Sequence, residues 1–304
     1  KSDFGSIKKA IRIAKQGGSI AVFPEGNLTY TGETNHFSKS LVKMIRLLKL
    51  PVILFKFEGL YLSNPRWSNE NKKGRSEGYI TKIIEYEQYK EISDEELYNI
   101  VYEGIYSNAY NNVTNSLFEG KKLAEGLQRL IFMDLKKNIP FVTYSKDDKL
   151  YSKVSDYELT YQTDGYVKDK NGNLETLINI DKQIKKAYYH YYHNDIIHYE
   201  NESLVNENIK TTKKKLGKFN TILKKDSIIL KAAKKTFLIF DFADVTEIAI
   251  QGKNKLIIYY LDKTYLLVFD KHVSMYAHLL TYQFYKEGKT YDEDRNVFTS
   301  FGLH

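Results

Sequence analysis

Residues 19–57 read SIAVFPEGNLTYTGETNHFSKSLVKMIRLLKLPVILFKF, and the punctuation of this stretch decides how the fold is read. The run 19–23 is short and apolar, with Gly17-Gly18 before it and Pro24 after it, which predicts a buried strand. Leu41, Met44, Ile45 and Leu48 recur at helical spacing and predict an amphipathic helix. Pro51 then opens a second apolar run that extends to Phe57. Upstream, Ile7, Ile11 and Ala14, with Ala10 beside them, predict a helix over 3–16. Helix, strand, loop, helix, strand is the rhythm of a βαβ unit, so a parallel sheet is expected.

Working outward, 79–86 is expected to add a strand. Ser93, followed three residues later by Glu96, has the form of a capping box, and the helix it opens carries Leu97, Ile100, Val101 and Ile105. A shorter helix is expected over 123–132. From 140 to 177 the runs are short, polar and punctuated by Asp and Gly, which predicts a small β unit. Residues 181–210, aromatic-rich and then rich in Asn and Glu, read as a helix and a linker. Beyond 211, strands are expected at 215–223, 226–231, 237–240, 246–250, 256–260 and 265–269. Gly252-Lys253 and Asp262-Lys263 mark turns between them. Val273, Tyr276, Leu280 and Phe284 then share one helical face. Antiparallel strands closed by one helix predict a small barrel or sandwich of PH/GRAM type.

The chain has 304 residues, 42% of them hydrophobic and 28% charged, a globular composition with room for about two domains. It contains no cysteine, which excludes disulfides and thiolate metal sites. No run approaches the ~18 apolar residues of a spanning helix. The net charge of +8 calls for an anionic partner: a membrane surface, nucleic acid or a phosphorylated substrate. Residues 211–235 concentrate nine lysines against one acidic residue, which reads either as a membrane-facing patch or as a solvated strand face. A nucleic-acid reader would interleave Arg or aromatic residues on a recognisable module, so nucleic acid is not expected. The sequence begins at Lys1 in the middle of what reads as an amphipathic helix, from which a truncated N-terminus is expected.

Phe23-Pro24-Glu25-Gly26 stands at the exit of the predicted strand, where open α/β sheets bind ligands. Glutamate supplies an acceptor there, and glycine lets a substrate approach the backbone. The chain continues with GETNHF, then EGLY at 58–61, PRW at 65–67 and GKKLAEG at 120–126. In this order the motifs resemble the second half of the lysophosphatidate (1-acylglycerol-3-phosphate) acyltransferase domain. The likeness is to its bacterial branch with FPEGN and PRW, clear over 1–130 and fainter beyond.

That resemblance implies a layout. Residues 1–130 would be the C-terminal part of an α/β glycerolipid acyltransferase domain and 131–180 a Cys-less, ribbon-like β unit. A helix and linker would follow over 181–210, and a PH/GRAM-like β module with a closing helix over 211–290. It also implies an activity in phospholipid biosynthesis: transfer of a fatty acyl group from acyl-CoA or acyl carrier protein to a lysophospholipid. The expected setting is the cytoplasmic face of the cell membrane, with an anionic membrane surface as partner and no cofactor. Substrate binding would fall to Phe23, Pro24, Glu25, Gly26 and Asn27, with Arg66.

The family's catalytic His-x4-Asp pair lies upstream of FPEG and would precede Lys1. No catalytic residue is therefore expected here, and this chain alone is expected to be inactive. The family's phosphate-pairing Arg is replaced by Leu28, which offers a phosphate nothing, and Arg66 is the candidate substitute. Asn35-His36 resembles the start of the catalytic motif, but Leu41 stands where its Asp is needed. His190-x4-Asp195 has the spacing in an aromatic-rich segment where it arises by composition. His193 and His198 with Asp195 lack a fourth ligand, so no metal is expected. Relatives in this branch carry a zinc ribbon with two Cys-x-x-Cys pairs. Those cysteines would fall at Asp134, Lys137, Ser152 and Ser155, and the unit is expected to hold itself by packing Phe141, Tyr144, Leu150 and Tyr157. The alternative function is a non-catalytic membrane- or lipid-binding module that retains the substrate pocket.

Overall fold

The structure, a computed structural model, describes residues 4–111, 116–209, 212–233 and 235–287. It is a mixed α/β fold whose chain divides into two compact units. Among the described residues the first unit comprises 4–65, 74–111 and 116–117, and the second 66–73 and 118–287. The chain thus passes between units at 65/66, 73/74 and 117/118.

The first unit contains α1 (Phe4–Lys15), α2 (Ser40–Leu48), β1 (Val52–Glu58), α3 (Leu60–Ser63), β2 (Glu77–Ile84), α4 (Tyr86–Tyr89) and α5 (Asp94–Ile105). The apolar stripe of α2 and that of α5 meet over one face of the β1–β2 ladder, burying Val42, Ile45, Leu54, Ile84, Leu97 and Val101. Gly104 permits the close approach of α5, since a Cβ there would lie 2.3 Å from the Leu54 side chain. Ser93 caps α5 by accepting the Glu96 N–H at 3.1 Å, satisfying one of the helix's orphan donors. On the opposite face of the ladder Ile53, Phe55, Phe57, Ile80 and Ile83 remain 45–57% exposed.

Two expectations for this unit are corrected. The run 19–23 is not a strand, and Val22 and Phe23 are 46% and 77% exposed. A strand exists through its ladder, and among the described residues no neighbour pairs with this run. The sheet is also antiparallel rather than parallel, because β1 pairs with β2 from Val52↔Ile84 to Glu58↔Glu77.

The second unit opens with the hairpin β3 (Met133–Asp134) and β4 (Ile139–Pro140). An antiparallel meander follows: β5 (Thr143–Lys146), β6 (Lys149–Ser152), β7 (Glu158–Tyr161), β8 (Val167–Asp169) and β9 (Leu174–Glu175). Helix α6 (Leu177–Asn194) leads into β10 (Tyr199–Ile209), β11 (Thr212–Leu223), β12 (Ser227–Ala232), β13 (Lys235–Asp241), β14 (Val245–Gln251), β15 (Lys255–Tyr260) and β16 (Lys263–Phe269). These seven form a curled antiparallel half-barrel in the order β13-β12-β11-β10-β16-β15-β14, followed by α7 (Met275–Glu287). Tyr276 on α7 donates to Asp181 on α6 at 2.6 Å, and the same carboxylate pairs with Lys185 at 2.8 Å. That buried charge pair is tolerated because its hydrogen bonds are made.

Two more expectations fail here. The helix over 123–132 is only a 3-10 turn (Leu127–Arg129) before β3. Gly126 adopts φ +97°, and a Cβ there would lie 2.3 Å from the Trp67 carbonyl oxygen, so the chain turns instead of continuing helically. The segment read as a linker holds β10, the strand between β11 and β16. Its inward positions carry polar residues satisfied across the ladder: Ser203 bonds Thr221 at 2.7 Å, and Glu207 pairs with Lys263 at 3.0 Å. No helix among the described residues is long and apolar enough to cross a membrane.

Candidate functional site

The FPEG segment is a tight turn in the first unit. Gly26 lies in the left-handed region at φ +64° and its N–H donates to the Phe23 carbonyl at 3.0 Å. The following residues fold back over themselves. Thr29 Oγ1 accepts the N–H groups of Thr31 and Gly32, each at 3.2 Å. Gly32 sits at φ +92° against the Tyr61 ring, where a Cβ would lie 2.6 Å from Cδ1, and the Tyr61 hydroxyl donates to the Tyr30 carbonyl at 2.8 Å. The glycine of the GET segment and the tyrosine of EGLY therefore fit one another.

The loop is anchored to the chain leaving α5. Thr34 N–H donates to Ser107 O at 2.9 Å, and Ser107 N–H returns a bond to Thr34 Oγ1 at 2.9 Å. Glu25 closes the loop: its Oε2 accepts the Asn35 N–H at 2.7 Å. His36 stacks on Tyr102 with ring centroids 5.1 Å apart, and Glu33 accepts the Tyr106 hydroxyl at 2.8 Å. Burial raises the Glu25 carboxyl above its ordinary 4.5, against the two bonds from Asn35 that favour the anion. Tyr102 is pushed up to about 12, first by burial and then by Tyr106, Glu33, Tyr98 and Glu25. The loop thus gathers two carboxylates and two phenols around α5. These four side chains can accept hydrogen bonds from hydroxyl groups, and none of them carries a positive charge.

Of the sequence candidates, Phe23, Pro24, Glu25, Gly26 and Asn27 lie together in this turn, with Asn27 Oδ1 accepting the Leu28 N–H at 3.1 Å. Arg66 does not join them in the same unit. It is 6% exposed in the second unit, where Nη2 donates to the Ile250 carbonyl at 2.7 Å. Trp67 packs edge-on against Tyr161 at 5.1 Å and takes Lys72, 4.8 Å away, as a cation over its ring. Lys72 is lowered to about 8, first by burial.

Sequence reading missed the residues that explain the PRW and GKKLAEG motifs. Glu70 accepts the Lys121 and Lys122 N–H groups at 2.7 and 2.6 Å, and Arg129 donates to Trp67 O and Asn69 Oδ1 at 2.8 and 2.7 Å. These motifs close the second unit on itself. No local signal marked them, because Glu70 and Arg129 act on chain 52 and 62 residues away.

The remaining candidates separate. His190 bonds Asn194, not Asp195. His193 lies edge-on to Tyr189 and Tyr192, and His198 pairs with Glu200 and Lys224, each at 2.9 Å. Among the described residues no group of three His, Cys, Asp or Glu is placed to hold a metal. The lysines of the basic segment are dispersed: Lys214, Lys215 and Lys218 are exposed on β11, while Lys225 reaches the His193 carbonyl at 3.2 Å. Comparison with protein-family models, curated proteins and solved structures finds no match for this chain.

Proposed function

We propose that this chain supplies the acceptor-binding part of a glycerolipid acyltransferase. It would hold a lysophospholipid such as lysophosphatidate for acylation from acyl-CoA or acyl carrier protein, at an anionic membrane surface on the cytoplasmic face. The observation that supports this reading is the Glu25 carboxylate. It is fixed by Asn35 at 2.7 Å, half-buried, and presented by a turn whose glycine leaves the backbone open to a ligand. In acyl transfer the free hydroxyl attacks the thioester carbonyl, a C–O bond replaces the C–S bond, and the hydroxyl proton goes to a base. On this proposal Glu25 orients the glycerol hydroxyls, and proton removal belongs to the His/Asp pair that the resemblance puts ahead of FPEG. His36 is not assigned that role, since its ring is stacked on Tyr102 and no Asp stands four residues beyond it.

The first unit is read as the acyltransferase part. Residues 199–287 are read as a PH/GRAM-like module. Numbered within the half-barrel, its strands run 4-3-2-1-7-6-5 and a helix follows, which supports that assignment. The same feature favours the second reading, a non-catalytic lipid-binding module. The two readings differ in what they recognise: a free glycerol hydroxyl, or an anionic lipid headgroup alone. Binding of lysophosphatidate measured against diacyl phosphatidate separates them.

A further inference from the structure

The β3–β4 turn and the turn between β6 and β7 are built alike and face each other. In the first, Asp134 Oδ1 accepts the N–H groups of Lys136 and Lys137 at 2.9 and 3.0 Å, and Asn138 follows in the left-handed region at φ +56°. In the second, Ser152 Oγ accepts the Val154 N–H at 3.1 Å and Ser155 Oγ accepts the Tyr157 N–H at 3.0 Å. The turns meet through side chains: Ser155 Oγ donates to Asp134 Oδ2 at 2.5 Å, and the nearby Ser152 hydroxyl also favours the Asp134 anion, whose carboxyl is held below its ordinary 3.8. Asp134 is fully buried. Paired turns whose first side chain collects the next backbone N–H groups have the form that holds a tetrahedral ion between two Cys-x-x-Cys pairs.

The residues present do not fit zinc. One carboxylate, two hydroxyls and a lysine replace the four thiolates that the resemblance puts at 134, 137, 152 and 155. Zinc works there by tying two turns that cannot bury enough apolar surface to hold themselves. A carboxylate with four acceptor sites does the same by collecting donors from both turns.

We infer that the Asp134 carboxylate stands in for the metal of a ribbon, tying the two turns with Ser152 and Ser155. The unit therefore folds without metal, and its backbone is still arranged to take one. Packing contributes alongside: Leu150 is fully buried and Phe141 stacks on Tyr199 at 4.1 Å. Tyr144 is exposed, leaving Asp134 as the tie that the packing expectation omitted. The inference rests on the ribbon correspondence and not on acyl transfer, so the two stand or fall separately.

The test uses the full chain. Wild-type protein washed with chelator should carry no stoichiometric zinc, and chelator should leave its melting temperature unchanged. Asp134→Asn should melt several degrees lower with the same indifference to chelator. The fourfold variant D134C/K137C/S152C/S155C should bind one Co2+ per chain with the visible absorption of tetrahedral thiolate coordination, and zinc should displace it. If the variant is unfolded without metal, Co2+ should restore its folded circular dichroism. Stoichiometric zinc in the wild type, an Asp134→Asn variant that melts like wild type, or a fourfold variant that takes up no Co2+ would each overturn the inference.

Discussion

Glu25 is asked to do two things at the residue scale, and its geometry separates them. It accepts the Asn35 N–H that closes the loop, and on the proposal it accepts a substrate hydroxyl as well. Glu25→Gln keeps an oxygen for Asn35 and removes the charge, so the loop should persist. Loss of one charge-assisted bond costs about 1.5–3 kcal/mol, a weakening of roughly 10- to 150-fold in lysophosphatidate affinity at unchanged melting temperature. A lower melting temperature with unchanged affinity would make Glu25 a structural tie only. His278 yields a different prediction. It is buried between Tyr199 and Phe269, donates from Nδ1 to the Ser274 carbonyl at 2.8 Å, and has no partner for Nε2 among the described residues. Burial lowers it from 6.5 to about 4, partly offset by the Ser274 bond. The unfolded chain therefore takes up the proton first as pH falls. This contribution to stability is complete above the unfolded value near 6.5 and declines toward pH 4, by roughly 3 kcal/mol in all. Denaturant melts of wild type and His278→Leu across that window should show the slope in the first and its flattening in the second.

Elements were legible in the sequence where a period or a cap marked them, and obscure where pairing decided. The stripe of Leu41, Met44, Ile45 and Leu48, the cap at Ser93 and the turns at 252 and 262 correspond to α2, α5 and the β14–β16 meander. The β10 strand was hidden because, among its described buried positions, Val205 is flanked by Ser203 and Glu207, polar side chains whose partners come from other strands. The run 19–23 misled in the other direction: its apolar composition says strand, but a ladder needs a neighbour and none is described. Gly126 shows how a helical reading fails on a contact from elsewhere in the chain. The Trp67 carbonyl fills the space a Cβ would need. Gly126→Ala should destabilise the second unit by at least about 2 kcal/mol, combining a left-handed penalty with a backbone clash. Urea denaturation followed through Trp67, the single tryptophan, which is buried in that unit, reads this directly.

For the whole molecule, the sequence suggested an acceptor site spread over FPEG and PRW, whereas the structure assigns the two motifs to different units. The FPEG turn gathers Glu25, Glu33, Tyr102 and Tyr106, a grouping that depends on α5 returning beside a loop some seventy residues earlier. Arg66 is committed to the interior of the second unit, through the Ile250 carbonyl. Neither arrangement could be read from local pattern, because each depends on the return of distant chain. The central claim, that this chain recognises the free hydroxyl of a lysophospholipid, is tested most directly by titration calorimetry. The ligands are short-chain lysophosphatidate and the matching diacyl phosphatidate, both below their micelle concentrations. The account predicts saturable one-to-one binding of lysophosphatidate and at least about tenfold weaker binding of phosphatidate, whose hydroxyl is already esterified. Equal affinity for the two, or no binding of either, would contradict it.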